Sequence, residues 1–181
     1  MHCTTPSAMI IAALVAAFAL PFGTALAGPE PHVIVGPDEP GEPLTLVIQV
    51  VDAATGTPIA DAEVLLYHAD DGGAYDPSDP SDESTARLRA EGRVDAAGAF
   101  VVRTVLPGEY PGQPPGNRHI HLEHVRAPGY APVGGVVLFE HNVNDTVRDW
   151  ARATGFGRVI ELVADEGGWR GVVTVELEPA R

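Results

Sequence analysis

Residues 44–51 read Leu-Thr-Leu-Val-Ile-Gln-Val-Val, and this alternation constrains the fold more than any other feature of the chain. Successive side chains of a strand point to opposite faces, so Leu44, Leu46, Ile48 and Val50 face one way while Thr45 and Gln49 mark the other. A strand with one apolar face must pack against a second layer. Other short runs supply it: 63–68, 99–105, 119–125, 133–139, 158–163 and 171–177 carry β-type residues bounded by turn clusters. About seven short, mostly antiparallel strands with long loops predict an all-β fold, a β-sandwich. A single short helix is predicted at 145–154, with Asn144 as its N-cap and Gly155 just beyond its end.

Between the runs, Gly and Pro mark the connections. Residues 28–43 are rich in Pro, Gly and acids with no period and read as an extended N-terminal arm, leaving 44–181 as the sandwich domain. Residues 70–83 form an exposed loop, and 107–117, with four prolines and three glycines, cannot be regular structure. Residues 1–27 are of a different kind. An apolar run at 9–20 is too short to span a bilayer and leads to Ala25-Leu26-Ala27, the small-x-small form that signal peptidase cuts. The expectation is a secretory signal, an exported (periplasmic or secreted) mature protein and no stable membrane insertion after cleavage. Cys3, the one cysteine, leaves with the signal, so any metal site must be built from oxygen and imidazole. A net charge of −14 argues against nucleic acid and anionic membrane surfaces as partners. Trp150 and Trp169 are expected to cover the core, and nothing in the sequence speaks to oligomeric state.

The sharpest local feature is His119-Ile120-His121. On a strand the two imidazoles project from one face, where they can share a metal ion, and His124 falls on the opposite face. Alone, this pair would suit copper or zinc, and affinity alone favours copper. Its setting is more specific. Upstream lies Pro107-Gly108-Glu109-Tyr110-Pro111, and before it Tyr67-His68-Ala69-Asp70 leads through Gly73-Ala74 to Tyr75. His68 reads as a structural turn histidine.

These motifs, preceded by 56–64 and taken in this order, resemble the intradiol ring-cleavage dioxygenase family over about 44–139. The resemblance implies a non-haem Fe(III) site with Tyr75, Tyr110, His119 and His121 as ligands, and a catechol and O2 as the molecules it brings together. Tyr110 would be the catalytic tyrosine, the ligand that leaves and takes up a substrate proton. The residue types suit the ion, since a hard trivalent cation prefers anionic oxygen and lowers the pKa of a phenol from its usual value of about 10. The imidazoles would need partners on their other ring nitrogens to fix their tautomers. Three positions depart from the family. Gly116 stands where an arginine is usual, Val136 where a glutamine is common, and Tyr67 where a tryptophan is common. Residues 55–64 also resemble prealbumin-like and carboxypeptidase-regulatory sandwiches, a reading in which the chain is a non-catalytic binding module.

Overall fold

The computed structural model describes residues 29–181; the expected signal sequence and Cys3 lie outside the described residues. Two five-stranded sheets face each other. The first contains β1 (His32–Val33), β2 (Pro43–Asp52), β5 (Ala99–Val105), β9 (Leu162–Asp165) and β10 (Gly168–Leu177), in the order β1-β5-β2-β10-β9. The second contains β3 (Glu63–His68), β4 (Leu88–Arg93), β6 (His119–Arg126), β7 (Val133–Phe139) and β8 (Gly157–Ile160), in the order β4-β3-β6-β7-β8. β1 pairs with β5, β2 with β10 and β7 with β8 in parallel; the other pairs are antiparallel.

The alternation in β2 does what its pattern requires. Leu44, Leu46, Ile48 and Val50 are buried in the core, where they meet Phe100 and Val102 of β5 and Val173, Val175 and Leu177 of β10. Across the sandwich stand Val64 and Leu66 of β3, Ile120, Leu122 and Val125 of β6, and Val137 and Phe139 of β7. A second, smaller cluster lies on the outer side of the second sheet, under helix α1 (Asp145–Thr154). Val136 and Leu138 meet Val143 and Ala151 there, with Val147 and Val159 alongside. The helix begins and ends as predicted. Asn144 accepts from the amide of Val147, and Gly155 closes the helix with a left-handed backbone.

Several expectations need correction. Residues 158–163 are two strands rather than one. The chain changes sheets at Glu161, so that β8 pairs with β7 and β9 with β10. β4 was not foreseen, because only Leu88 and Ala90 of its residues point inward. The arm contributes a two-residue strand, and His32 stacks on Phe100 at 4.3 Å. Trp169 packs against the core, but Trp150 is 43% exposed and meets only the edge of Phe156. His124 is not on the face opposite the other histidines. A β-bulge between Leu122 and Val125 shifts the register, placing His124 across from Leu65 on the face where His121 lies across from Tyr67.

His68 is buried at the end of β3. Its Nδ1 lies 2.7 Å from the Ala69 carbonyl and must donate to it, so Nε2 accepts from the Thr104 hydroxyl, also at 2.7 Å. Burial, only partly opposed by the carbonyl bond, pushes the ring down to about 4. The unfolded chain therefore takes up this proton first as pH falls. The contribution is complete above about 6.5 and drains away as pH drops towards about 4, a linked loss of about 3 kcal/mol. Denaturant titrations at pH 7 and pH 4 are expected to show a smaller pH-dependent loss in His68→Asn than in wild type. Equal losses would exclude a neutral buried His68.

Candidate metal centre

Two loops bring the tyrosines together. After β3, the Asp70 carboxylate accepts from the amides of Gly72 (2.9 Å) and Ala74 (3.0 Å), and its backbone amide donates to the Ala74 carbonyl (2.8 Å). This tight loop delivers Tyr75. The second loop runs from Pro107 and carries Tyr110. The amide of Gly108 donates to the Asp70 carbonyl at 2.8 Å, so the loops cross backbone on backbone. A methyl group on Gly108 would lie 2.2 Å from the Asp71 carbonyl oxygen, and one on Gly73 would lie 2.3 Å from that of Glu109. Only glycine at both positions allows this approach, and Gly73 also needs its positive φ of 84°.

The histidines arrive from β6. His119 and His121 project from its outer face, one residue either side of buried Ile120. The four expected ligands meet. Tyr75 Oη lies 2.6 Å from Tyr110 Oη, which lies 3.1 Å from His119 Nε2. His119 Nε2 is 3.0 Å from His121 Nε2, which is 3.1 Å from Tyr75 Oη. The result is a closed ring of two oxygens and two nitrogens from three separate segments. Among the described residues no three His, Cys, Asp or Glu side chains gather to hold a metal. Half the donors of this cluster are phenols.

Orientation and charge both follow from the surroundings. His119 Nδ1 lies 2.6 Å from the Asn117 carbonyl and donates to it, so Nε2 presents a lone pair to the ring. His121 is held by stacking on the buried Tyr67 ring, at 4.5 Å and nearly parallel. Burial pushes His121 down to about 4, helped by the nearby His119 and His68. Burial likewise lowers His119, against the opposing effect of its bond to Asn117. Both phenols are raised, Tyr75 by burial and by its bond to Tyr110, Tyr110 mainly by burial. Without a cation the cluster is uncharged. Two Nε2 atoms lie 3.0 Å apart, close enough for both to face one shared cation. Edges of 2.6–3.1 Å are the separations of neighbouring ligands each about 2 Å from one ion. The donor set therefore fits a hard, multivalent metal.

The cluster borders an apolar wall. Val136 lies across the strand pair from His121 and Leu138 from His119, and both pack under α1. A groove of about 590 Å³ on the outer face of the other sheet, lined by Arg103, Trp169 and Arg170, contains none of the four ring residues. At Gly116, where the resemblance leads one to expect an arginine, φ is +92°, and a Cβ would meet Asn144 at 2.7 Å and 2.8 Å. No side chain fits there on this backbone. The supporting contacts from Asn117, Glu109 and Asn142 were not foreseen. Glu109 lies inside a motif that was, but Asn142 sits 21 residues beyond His121, where no local pattern marks it.

The chain is similar to known proteins in sequence and in fold. A family model described as Dioxygenase matches residues 25–134. A catechol 1,2-dioxygenase of Acinetobacter baylyi is 32% identical over 144 residues, covering 71% of this chain but 45% of that protein. The chain thus spans under half the length of that relative. Among solved structures, the dioxygenase domain of a dioxygenase carbohydrate-binding protein fusion from Streptomyces sp. SirexAA-E is similar. Its TM-score is 0.65 at 25% identity, over 88% of this chain and 96% of that one. A catechol 1,2-dioxygenase from Acinetobacter sp. ADP1, inhibited by bound mercury, matches at TM-score 0.63 and 27% identity, over 84% of this chain and 59% of that one.

The glycine contact is testable by itself. Gly108→Ala is expected to destabilise the fold by about 1–3 kcal/mol, the usual cost of forcing atoms into a packed site. It should also separate the two phenols. Gly36→Ala, where a methyl group meets nothing within 4 Å, serves as the control. Equal melting temperatures for the two variants would rule out the crossing as a constraint.

Proposed function

Because this chain belongs to the intradiol ring-cleavage dioxygenase family, we propose that it is a non-haem ferric enzyme that opens the ring of a catechol with dioxygen. The observation that carries this reading is the closed ring formed by Tyr75, Tyr110, His119 and His121. These four side chains would hold the ferric ion, which when bound supplies the positive charge that ionises the phenols and the redox chemistry that joins a catecholate to dioxygen.

The remaining roles belong to the protein. Tyr110 is on the irregular loop rather than on a strand, and its Oη, as phenolate, is the acceptor for the proton of a catechol hydroxyl. His119 and His121 stay in place, one held by the Asn117 carbonyl and the other by the Tyr67 ring. Val136 and Leu138, buried under α1, close the side of the donors that faces the helix. The carbon–carbon bond between the two hydroxylated carbons breaks, both atoms of dioxygen enter the product, and a cis,cis-muconate-type diacid results.

Selectivity and rate follow from the surroundings. The exposed Glu83 lies close enough to disfavour ionisation of Tyr75 and Tyr110. A carboxylated catechol would meet that same field, so a neutral or bulky catechol is the better substrate. Gly116 provides no fixed positive charge for the reacting ring. Loss of one preorganised electrostatic group typically costs about 10²–10³ in rate, so turnover of simple catechols should be slow. The apolar run and the Ala25-Leu26-Ala27 site support an exported enzyme, periplasmic or secreted.

Iron-loaded protein is expected to be burgundy to red-brown, from charge transfer between tyrosinate and ferric iron, with about one iron per chain. His121→Ala and Tyr75→Phe should lose or weaken iron, while Tyr110→Phe keeps some and shifts the visible band. Full and equal iron retention in all three would defeat the ligand assignment. Oxygen uptake with ¹⁸O₂ and mass analysis, using catechol, a carboxylated catechol and a larger lignin-like catechol, tests turnover. Doubly labelled diacid supports it. A colour shift with no oxygen consumed would mean a catechol-binding protein without catalysis.

A further inference from the structure

The segment 110–118 carries one expected ligand and leads into another, yet it lies in no strand, so its backbone groups must find partners outside a ladder. Three of its amides find them in side chains. The amide of Tyr110 donates to Asn117 Oδ1 (3.2 Å), that of Gly116 to Glu109 Oε1 (2.9 Å) and that of Arg118 to Asn142 Oδ1 (3.1 Å). Asn142 Nδ2 then donates to the same Glu109 Oε1 at 2.8 Å, joining two of these contacts into one bridge. Asn142 belongs to the turn between β7 and α1. From the same turn, Asn144 Nδ2 donates to the Pro115 carbonyl at 2.7 Å and its amide donates to the Gly116 carbonyl at 3.3 Å.

We propose that Glu109 and Asn142 are positioning residues that set the rotation and tautomer of His119 through the backbone of residues 116–118. The bridge holds the amides of Gly116 and Arg118, the residues on either side of Asn117. It therefore aims the Asn117 carbonyl at His119 Nδ1, 2.6 Å away. The same segment holds Tyr110 by its amide, so one bridge orients two of the four ring donors. The turn that supplies Asn142 also crowds residue 116, where a Cβ would strike the Asn142 main-chain carbonyl oxygen at 2.9 Å and Asn144 closer still.

The inference about His119 stands on the metal-free geometry; only its consequence for iron rests on the ferric reading above. The two are tested separately. In metal-free protein with ¹⁵N-labelled histidine, NMR above neutral pH should show His119 as a single Nδ1–H tautomer in wild type. Glu109→Gln, which retains the accepting oxygen, should behave the same way. Glu109→Ala and Asn142→Ala should give mixed tautomers. With iron, outer partners of this kind typically contribute about 10–100-fold in metal affinity. The two alanine variants should lose about that much in competition with a chelator, with a broadened visible band, while Glu109→Gln stays near wild type. Tyr130→Phe, which removes a hydrogen bond to Asp52, controls for a general loss of stability. If the alanine variants do not fold, Asn142→Asp takes their place. It keeps the acceptor for Arg118 but sets a carboxylate against Glu109, and mixed tautomers are again expected. A single wild-type tautomer in the folded alanine variants, or in Asn142→Asp where they do not fold, overturns the inference. Mixed tautomers in a protein whose wild type binds no iron would support the positioning role and defeat the ferric reading.

Discussion

The crossing of two peptide chains at Gly73 and Gly108 is the contact on which the rest of the centre depends. No side chain separates the loops there, and the Gly108 amide bonds directly to the Asp70 carbonyl. Tyr75 and Tyr110 come from segments 35 residues apart, yet their hydroxyls lie 2.6 Å from each other. Packing alone does not hold surface loops to that tolerance. Here the tolerance comes from hydrogen bonds between main chains, with the Asp70 carboxylate closing one loop and Asn117 fastening the other. For the histidines the strand already fixes the backbone, and only the rings need holding, by the Asn117 carbonyl and the Tyr67 ring.

This division between strand and loop explains how much could be read in advance. The pair His119 and His121 was legible from period two alone, as were β2, β3 and the apolar stripes they bury. Helix α1 was legible from its two ends. What failed were features set by partners distant in sequence. β4 has two inward residues and takes its identity from pairing with β3. The change of sheet at Glu161 leaves no mark in a run where Ile160 and Leu162 both pack against the core. The bulge that places His124 on the histidine face arises from a register shift between neighbouring strands, invisible in either strand alone. For the tyrosines, periodicity had nothing to offer. Resemblance to a family selected them, and the structure brings them into one ring with the histidines.

The cluster combines expensive features that make sense together. Buried imidazoles are held neutral and buried phenols protonated, so nothing in the ring carries charge when it stands alone. A cation entering the ring would reverse the preference of the phenols and meet the His119 lone pair already aimed at it. The same burial that makes ionisation costly without a metal strengthens the attraction once one is present, since charges interact more strongly where water is excluded. Tyr67 adds to this by covering one face of His121, and burial pushes its own phenol up to about 12, so it stays a neutral wall rather than a competing ligand.

Gly116 shows how one residue is tied to its neighbours. A positive φ and contacts under 3 Å between a notional Cβ and the turn at Asn142 and Asn144 mean that no side chain could be placed there without moving them. Asn144 also caps α1, and α1 covers Val136 and Leu138, the wall beside the histidines. Loop, helix and wall are therefore linked, and a change at residue 116 would reach the apolar cluster under α1. The hydrogen bonds around residue 116, made by amides and one carboxylate, place the backbone that carries the donors, but they supply no positive charge to stabilise developing negative charge.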